Sequence, residues 1–213
     1  MFKTTLDTNI IVSAFTEETA CKNLVDTFLS EENLSNGNYF LTPAVLDELT
    51  GLFTRFMQLF HEIKTIMKNK KKSFIESYKE LENTIDGGPN KSLANAFGNL
   101  IDFVQKSENY GLAITTIEDS LKQRVARFYR PDIKLLPSQD TVKEKHNEVN
   151  SIKEEIESKK INKGKDAVIL AQLILLNKLS LNDIHLYTKN KSDFDDSSEA
   201  WKELCPFISV LSP

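Results

Sequence analysis

Two cysteines, three histidines, one tryptophan and seven glycines among 213 residues leave this chain short of the side chains that build several common sites. Cys21 and Cys205 are far apart and lack the paired spacing of a zinc site, so a reduced, cytoplasmic chain is expected. A glycine loop shaped to cradle phosphates is missing as well. Gly164-Lys165 is followed by Asp166 rather than Ser or Thr, with no glycine five positions earlier, which excludes a P-loop nucleotide enzyme. The longest apolar block, Ala167 to Leu176, is too short to cross a bilayer, and Lys3 and Thr4 interrupt the first residues, so neither a membrane span nor a signal peptide is expected. Positive charge is not in excess either. Lys and Arg total 27 against 31 acids, a net charge of -4, which excludes coating nucleic acid by bulk electrostatics but not an enzyme whose acids hold cations.

What is present is a chain able to bury a full core, with 40% hydrophobic residues and no need of metal or disulfide staples. The order of patterns along it predicts alternating strands and helices. Residues 1–7 alternate as a strand through Phe2, Thr4 and Leu6, and Thr16 to Leu29 reads as a helix with Leu24, Val25 and Phe28 on its apolar face. A short strand at Asn38 to Leu41 leads to Thr42 as a helix cap and Pro43 at the first helical position. The helix that follows carries Val45, Leu49, Leu52, Phe53, Phe56, Phe60 and Ile63 at a period of 3.6, with Glu48 within or beside the stripe. A carboxylate there is costly unless it is paired or bound to a cation.

From about 64 to 158 the composition turns rich in lysine and glutamate and reads as a mostly helical insertion in a single domain spanning 1–213. Asp86-Gly87-Gly88-Pro89 is the strongest turn signal in the chain. Lys68 to Lys72 reads as a solvated helix end, and Lys143 to Lys160 as an exposed helix of mixed charge. Lys122, Arg124, Arg127 and Arg130 stand beside Phe128 and Tyr129, a mixture able to grip phosphates and stack bases, although core packing is the commoner use of such aromatics. Beyond Gly164, Asp166 opens a block apolar all round, the mark of a buried helix, and strands follow at Ile184 to Tyr187 and Phe207 to Leu211. Strands alternating with helices imply an α/β fold with a mainly parallel sheet.

In such a fold, strand ends and helix starts gather at one edge, so Asp7, Asp166 and Asp193 can meet there, with Glu48 joining from its helix. Four carboxylates so close take up protons unless cations intervene, and hard oxygen donors select Mg2+ or Mn2+ over zinc. The runs Leu6-Asp7-Thr8-Asn9-Ile10-Ile11, Leu46-Asp47-Glu48-Leu49, Lys165-Asp166-Ala167-Val168-Ile169 and Thr188-Lys189-Asn190-Lys191-Ser192-Asp193-Phe194 together resemble the PIN-domain nucleases over 1–52 and 161–213. The long insertion has no counterpart in the compact toxin members and is more like the larger bacterial PIN-like proteins.

The resemblance implies a PIN-like three-layer fold, with a central mainly parallel sheet flanked by helices. It also implies a metal-dependent endonuclease that leaves 5′ phosphates, with RNA the expected substrate ahead of DNA. Asp7, Glu48, Asp166 and Asp193 would then be the catalytic and metal-holding acids, with Thr8, Asn9 and Thr188 ordering them. Asn190 stands where many relatives carry another acid, and Asp195 and Asp196 lie close behind it. Lys163 and Lys165 precede Asp166 and are expected to contact the nucleic acid, as are Arg124 and Arg127. A homodimer is expected from the family, and an antitoxin or other regulatory partner would accompany a toxin; defence against phage and RNA processing need the same catalytic edge. An aspartyl phosphatase is disfavoured, because Asn9 occupies the place of its second acid. The rival from another class is a PIN-like binding module without catalysis.

Overall fold

Strand β1 (Phe2–Leu6) runs parallel to β4 (Asp183–Tyr187), with Leu6 opposite Tyr187, and β4 runs parallel to β5 (Ile208–Leu211). On the other side of β1, the Thr4–Tyr39 bridge and a 2.7 Å bond from the Thr4 N–H to the Asn38 carbonyl bring in β2 (Phe40–Leu41), which pairs in parallel with β3 (Lys134–Leu135). This computed structural model describes residues 2–15, 18–70, 73, 75–77, 102–194 and 198–213, with the side chain of Asp193 excepted. Thr16, Lys71, Lys72, the Asp86–Pro89 turn, Asp195 and Asp196 lie outside that set.

The chain is a mixed α/β protein with a small parallel sheet and flanking helices. It goes from β1 to β2 and β3 on one side, then returns to lay β4 and β5 on the other. Such a reversal makes a topological switch point between β1 and β4, and the crevice beyond the carboxyl ends of those strands is where open α/β sheets bind ligands. The position of β1 between two neighbours also corrects the expected alternation. Phe2 is half exposed and stacks on His185 with ring centroids 4.5 Å apart, whereas the adjacent Thr5 and Leu6 are both fully buried. A strand covered on both faces does not show a period of two.

Two compact units divide the chain, one made of Met1–Leu49 and Tyr129–Pro213, the other of Thr50–Phe128. The expected insertion at 64–158 overlaps the second unit through 128, and 129–158 belong to the first. In the first unit, α1 (Thr8–Phe15), α2 (Thr19–Phe28) and α3 (Glu31–Ser35) follow β1, and α4 (Pro43–Lys70) follows β2. The Thr42 hydroxyl accepts from the Val45 N–H at 3.3 Å, so the cap read from Thr42-Pro43 is formed. After β3 come α6 (Gln139–Glu144), α7 (His146–Ser158), α8 (Gly164–Ser180) and, beyond β4, α9 (Glu199–Leu204). In the second unit, α4 buries Phe56, Leu59, Phe60 and Ile63, and α5 (Tyr110–Ala126) buries Ile114, Ile117 and Leu121. Lys64 pairs with Glu118 at 2.7 Å to link the two helices.

Two expectations on helices need correction. Residues 146–158 do not form a wholly exposed helix: Val149, Ile152 and Ile156, spaced by three and four, are buried on the face that α7 turns to α8. Nor is α8 apolar all round. Gln172 lies in the middle of its buried stretch, and its Oε1 accepts from the Ala44 N–H at 3.0 Å, one of the donors that the first turn of α4 leaves unpaired. This bond ties the start of α4 to α8. No helix among the described residues is long and apolar enough to cross a membrane.

The Thr5 hydroxyl is a buried polar atom without a hydrogen-bond partner among the described residues. Burying it uncompensated costs about 1–2 kcal/mol, and valine has the same shape without the cost. Thr5→Val is therefore expected to raise the thermal midpoint by about 2–4 °C per kcal/mol recovered. A lowered midpoint would show that the hydroxyl is satisfied.

Candidate active site

Asp7 is the first residue beyond β1, and its N–H donates to the Tyr187 carbonyl at 2.9 Å, adding one more rung to the β1–β4 ladder. The ladder fixes the backbone, and local donors fix the side chain. Oδ1 accepts from the Thr8 N–H at 2.6 Å, at the start of α1, and Oδ2 accepts from the Thr188 hydroxyl at 2.8 Å, at the end of β4. The carboxyl is only 4% exposed.

Thr188 is fully buried and fully used. While its proton goes to Asp7, its oxygen accepts from the Asn9 side-chain amide and from the Asn190 N–H, both at 3.1 Å. A hydroxyl has one proton and two lone pairs, so these two donors leave the proton only one direction to point, toward Asp7. The Asn9 carbonyl oxygen in turn accepts from the Lys189 N–H at 3.1 Å. Asn9 thus staples the first turn of α1 to the loop after β4, and Lys189 pairs with Glu18 just ahead of α2.

Glu48 is in the second turn of α4. Its Oε2 accepts from the Thr8 hydroxyl at 3.0 Å, and Oε1 faces the Lys165 ammonium at 3.3 Å. Thr8 therefore serves both acids, Asp7 through its N–H and Glu48 through its hydroxyl. Asp166, in the first turn of α8, completes a group of three acids near enough for the charges of Asp166 and Glu48 to act on Asp7. Burial pushes the Asp7 carboxyl up to about 6, and the negative charges of Asp166 and Glu48 add to the rise, against the opposing bonds from Thr188 and Thr8.

The other expected residues are placed as follows. Lys163, at the N-cap of α8, is exposed and lines a cleft of about 770 Å3 with Glu157, Lys160 and Asp166, and Lys165 is exposed on the first turn of α8. Asn190 is exposed and contributes its backbone N–H, not its side chain, to Thr188. Asp193 lies in a 3-10 turn (Lys191–Asp193) beyond β4. Arg124, Arg127 and the buried Phe128 belong to the second unit, and the half-exposed Tyr129 belongs to the first. Among the described residues, no three His, Cys, Asp or Glu side chains stand in a chelating arrangement. Sequence reasoning missed two participants. The Lys165–Glu48 pair has no local spacing to announce it, whereas Gln172 was visible as the one polar residue between Ala167 and Leu176.

The sign of the Asp7 effect on stability follows from its raised value. Between 3.8, the ordinary value, and about 6 the native state holds a proton that the unfolded chain has lost, so stability from this group falls as pH rises through that window. Above it, the ionised buried carboxyl costs the native state about 3 kcal/mol. Asn keeps the shape and an acceptor for the Thr8 N–H but sets its NH2 against the Thr188 hydroxyl, a cost that does not change with pH. Relative to wild type, the thermal midpoint of Asp7→Asn in chelator is expected to rise between about pH 4 and about pH 8, because only the wild type bears the cost of ionisation over that window. A difference from wild type that is equal at both pH values would contradict the burial of Asp7 as the source of its raised value.

The chain matches no family model, no curated protein and no solved structure.

Proposed function

We propose that this chain is a PIN-like, Mg2+- or Mn2+-dependent endonuclease that hydrolyses phosphodiester bonds in single-stranded nucleic acid, RNA ahead of DNA, in the cytoplasm. One observation carries the reading. A carboxyl is buried at the switch point of a parallel sheet, held by two donors, with two further acids raising its affinity for positive charge. Among the described residues, Asp7 is held by hydrogen bonds from Thr8 and Thr188 rather than by an Arg or Lys, and Lys165 is on Glu48. The donor set is all oxygen, which suits a hard divalent cation.

Asp7, Glu48 and Asp166 would hold the cation, with Asp193 as the fourth acid from the turn after β4. A divalent ion bound there supplies a lowered water pKa and charge neutralisation at a phosphate. The chain's own groups do the positioning. Thr188 and the Thr8 N–H keep Asp7 in one orientation, the Thr8 hydroxyl keeps Glu48 turned toward it, and Asn9 holds the β4 loop against α1. Lys163 and Lys165 offer phosphate contacts beside Asp166, and Arg124 and Arg127 are separate candidate nucleic-acid contacts. The small parallel sheet with flanking helices agrees with the fold that the motif resemblance implies. A homodimer and an antitoxin or other regulatory protein complete the proposed partners.

The test is incubation with labelled single-stranded RNA and DNA in Mn2+ and in chelator, beside a Mn2+ titration of the thermal midpoint. Cleavage is expected in Mn2+ only. At a hundredfold excess over its dissociation constant, Mn2+ is expected to stabilise the fold by about 2.7 kcal/mol. Asp166→Asn is expected to remain folded, to lose cleavage and to weaken the Mn2+ shift. Undiminished cleavage by folded Asp166→Asn would overturn the assignment, and a flat titration with retained RNA binding would favour the non-catalytic binding module.

A further inference from the structure

The ammonium of Lys165 lies 3.3 Å from Glu48 Oε1, while the other Glu48 oxygen is committed to the Thr8 hydroxyl. Both oxygens of that acid are thus engaged by the protein itself. The two partners differ in mobility: the Glu48 side chain is 20% exposed and the Lys165 side chain 61%. Glu48 is held in place by α4 and Thr8, whereas Lys165 is a solvated charge on a flexible four-carbon stem. A divalent cation and an ammonium cannot share Glu48 Oε1 without strong like-charge repulsion.

We propose that Lys165 is an exchangeable counter-cation: it neutralises Glu48 while the acids are free of metal, and is displaced by the incoming divalent ion toward a phosphate of the nucleic acid. The inference rests on the nuclease reading and deepens it, assigning to Lys165 both control of metal affinity and a metal-gated substrate contact. Its place in the chain supports the second role. Lys165 directly precedes Asp166 in the first turn of α8, and Lys163 and Lys160 line the cleft that Asp166 also lines, so a released ammonium joins a basic rim beside the acids.

Lys165→Met removes the competitor and keeps the stem, and Lys165→Arg keeps a competing charge. In a Mn2+ titration of the thermal midpoint at fixed ionic strength, Lys165→Met is expected to reach half-saturation at two- to five-fold lower Mn2+ than wild type, the range set by a partly exposed ion pair, with Lys165→Arg close to wild type. In saturating Mn2+, Lys165→Met is expected to raise KM for single-stranded RNA several-fold with kcat within about twofold. An unchanged or higher Mn2+ requirement, or an unchanged KM, overturns the exchange. If wild type itself shows neither a Mn2+ shift nor cleavage, the nuclease reading fails first; if wild type shows both and Lys165→Met matches it, only this inference fails.

Discussion

A carboxylate kept at the dry end of a parallel sheet is the constraint around which this molecule is arranged. Asp7 cannot turn to solvent, because the backbone beside it is already committed to the β1–β4 ladder and its two oxygens are committed to Thr8 and Thr188. Burial with no cationic partner among the described residues makes the ionised state expensive. The surrounding residues lower that cost by hydrogen bonding and raise it again by charge, since Glu48 and Asp166 face the same space. A site so balanced gains most from a cation, which is the physical core of the proposed nuclease.

The supports of Asp7 are shared, and sharing gives rigidity. Thr8 serves Asp7 and Glu48 together, and Thr188 is saturated by one donated and two accepted bonds. Asn9 bridges the end of β4 to α1 through both ends of its amide. Removing any one of these groups leaves a buried partner unsatisfied, which costs more than the bond itself contributes. Farther out, Gln172 pins α4 to α8, the two helices that carry Glu48 and Asp166. Their separation is therefore held by a hydrogen bond inside the core.

The legibility of these parts in the sequence varied with how local their causes are. The Thr42-Pro43 helix start was readable because a cap is made within four residues. The strands near 2–6, 40–41, 183–187 and 208–211 and the helix from Pro43 followed from apolar periodicity and turn signals, whereas α1, α3 and β3 were not expected. β1 misled because a covered strand buries neighbours on both faces, as Thr5 and Leu6 do. The α7 face was missed because charged residues outnumber the three apolar positions that face α8.

Sequence alone determined the alternation of strands and helices, the cap of α4 and the placing of Asp7, Glu48 and Asp166 at the ends or starts of those elements. Tertiary structure decided which group holds each acid: Thr188 reaches Asp7 across 181 positions, and Lys165, rather than a neighbour on α4, takes Glu48. The reason is physical. Periodicity and capping arise from chain geometry over a few residues, whereas a buried polar atom takes its partner from whichever element the parallel ladder and the apolar core bring beside it.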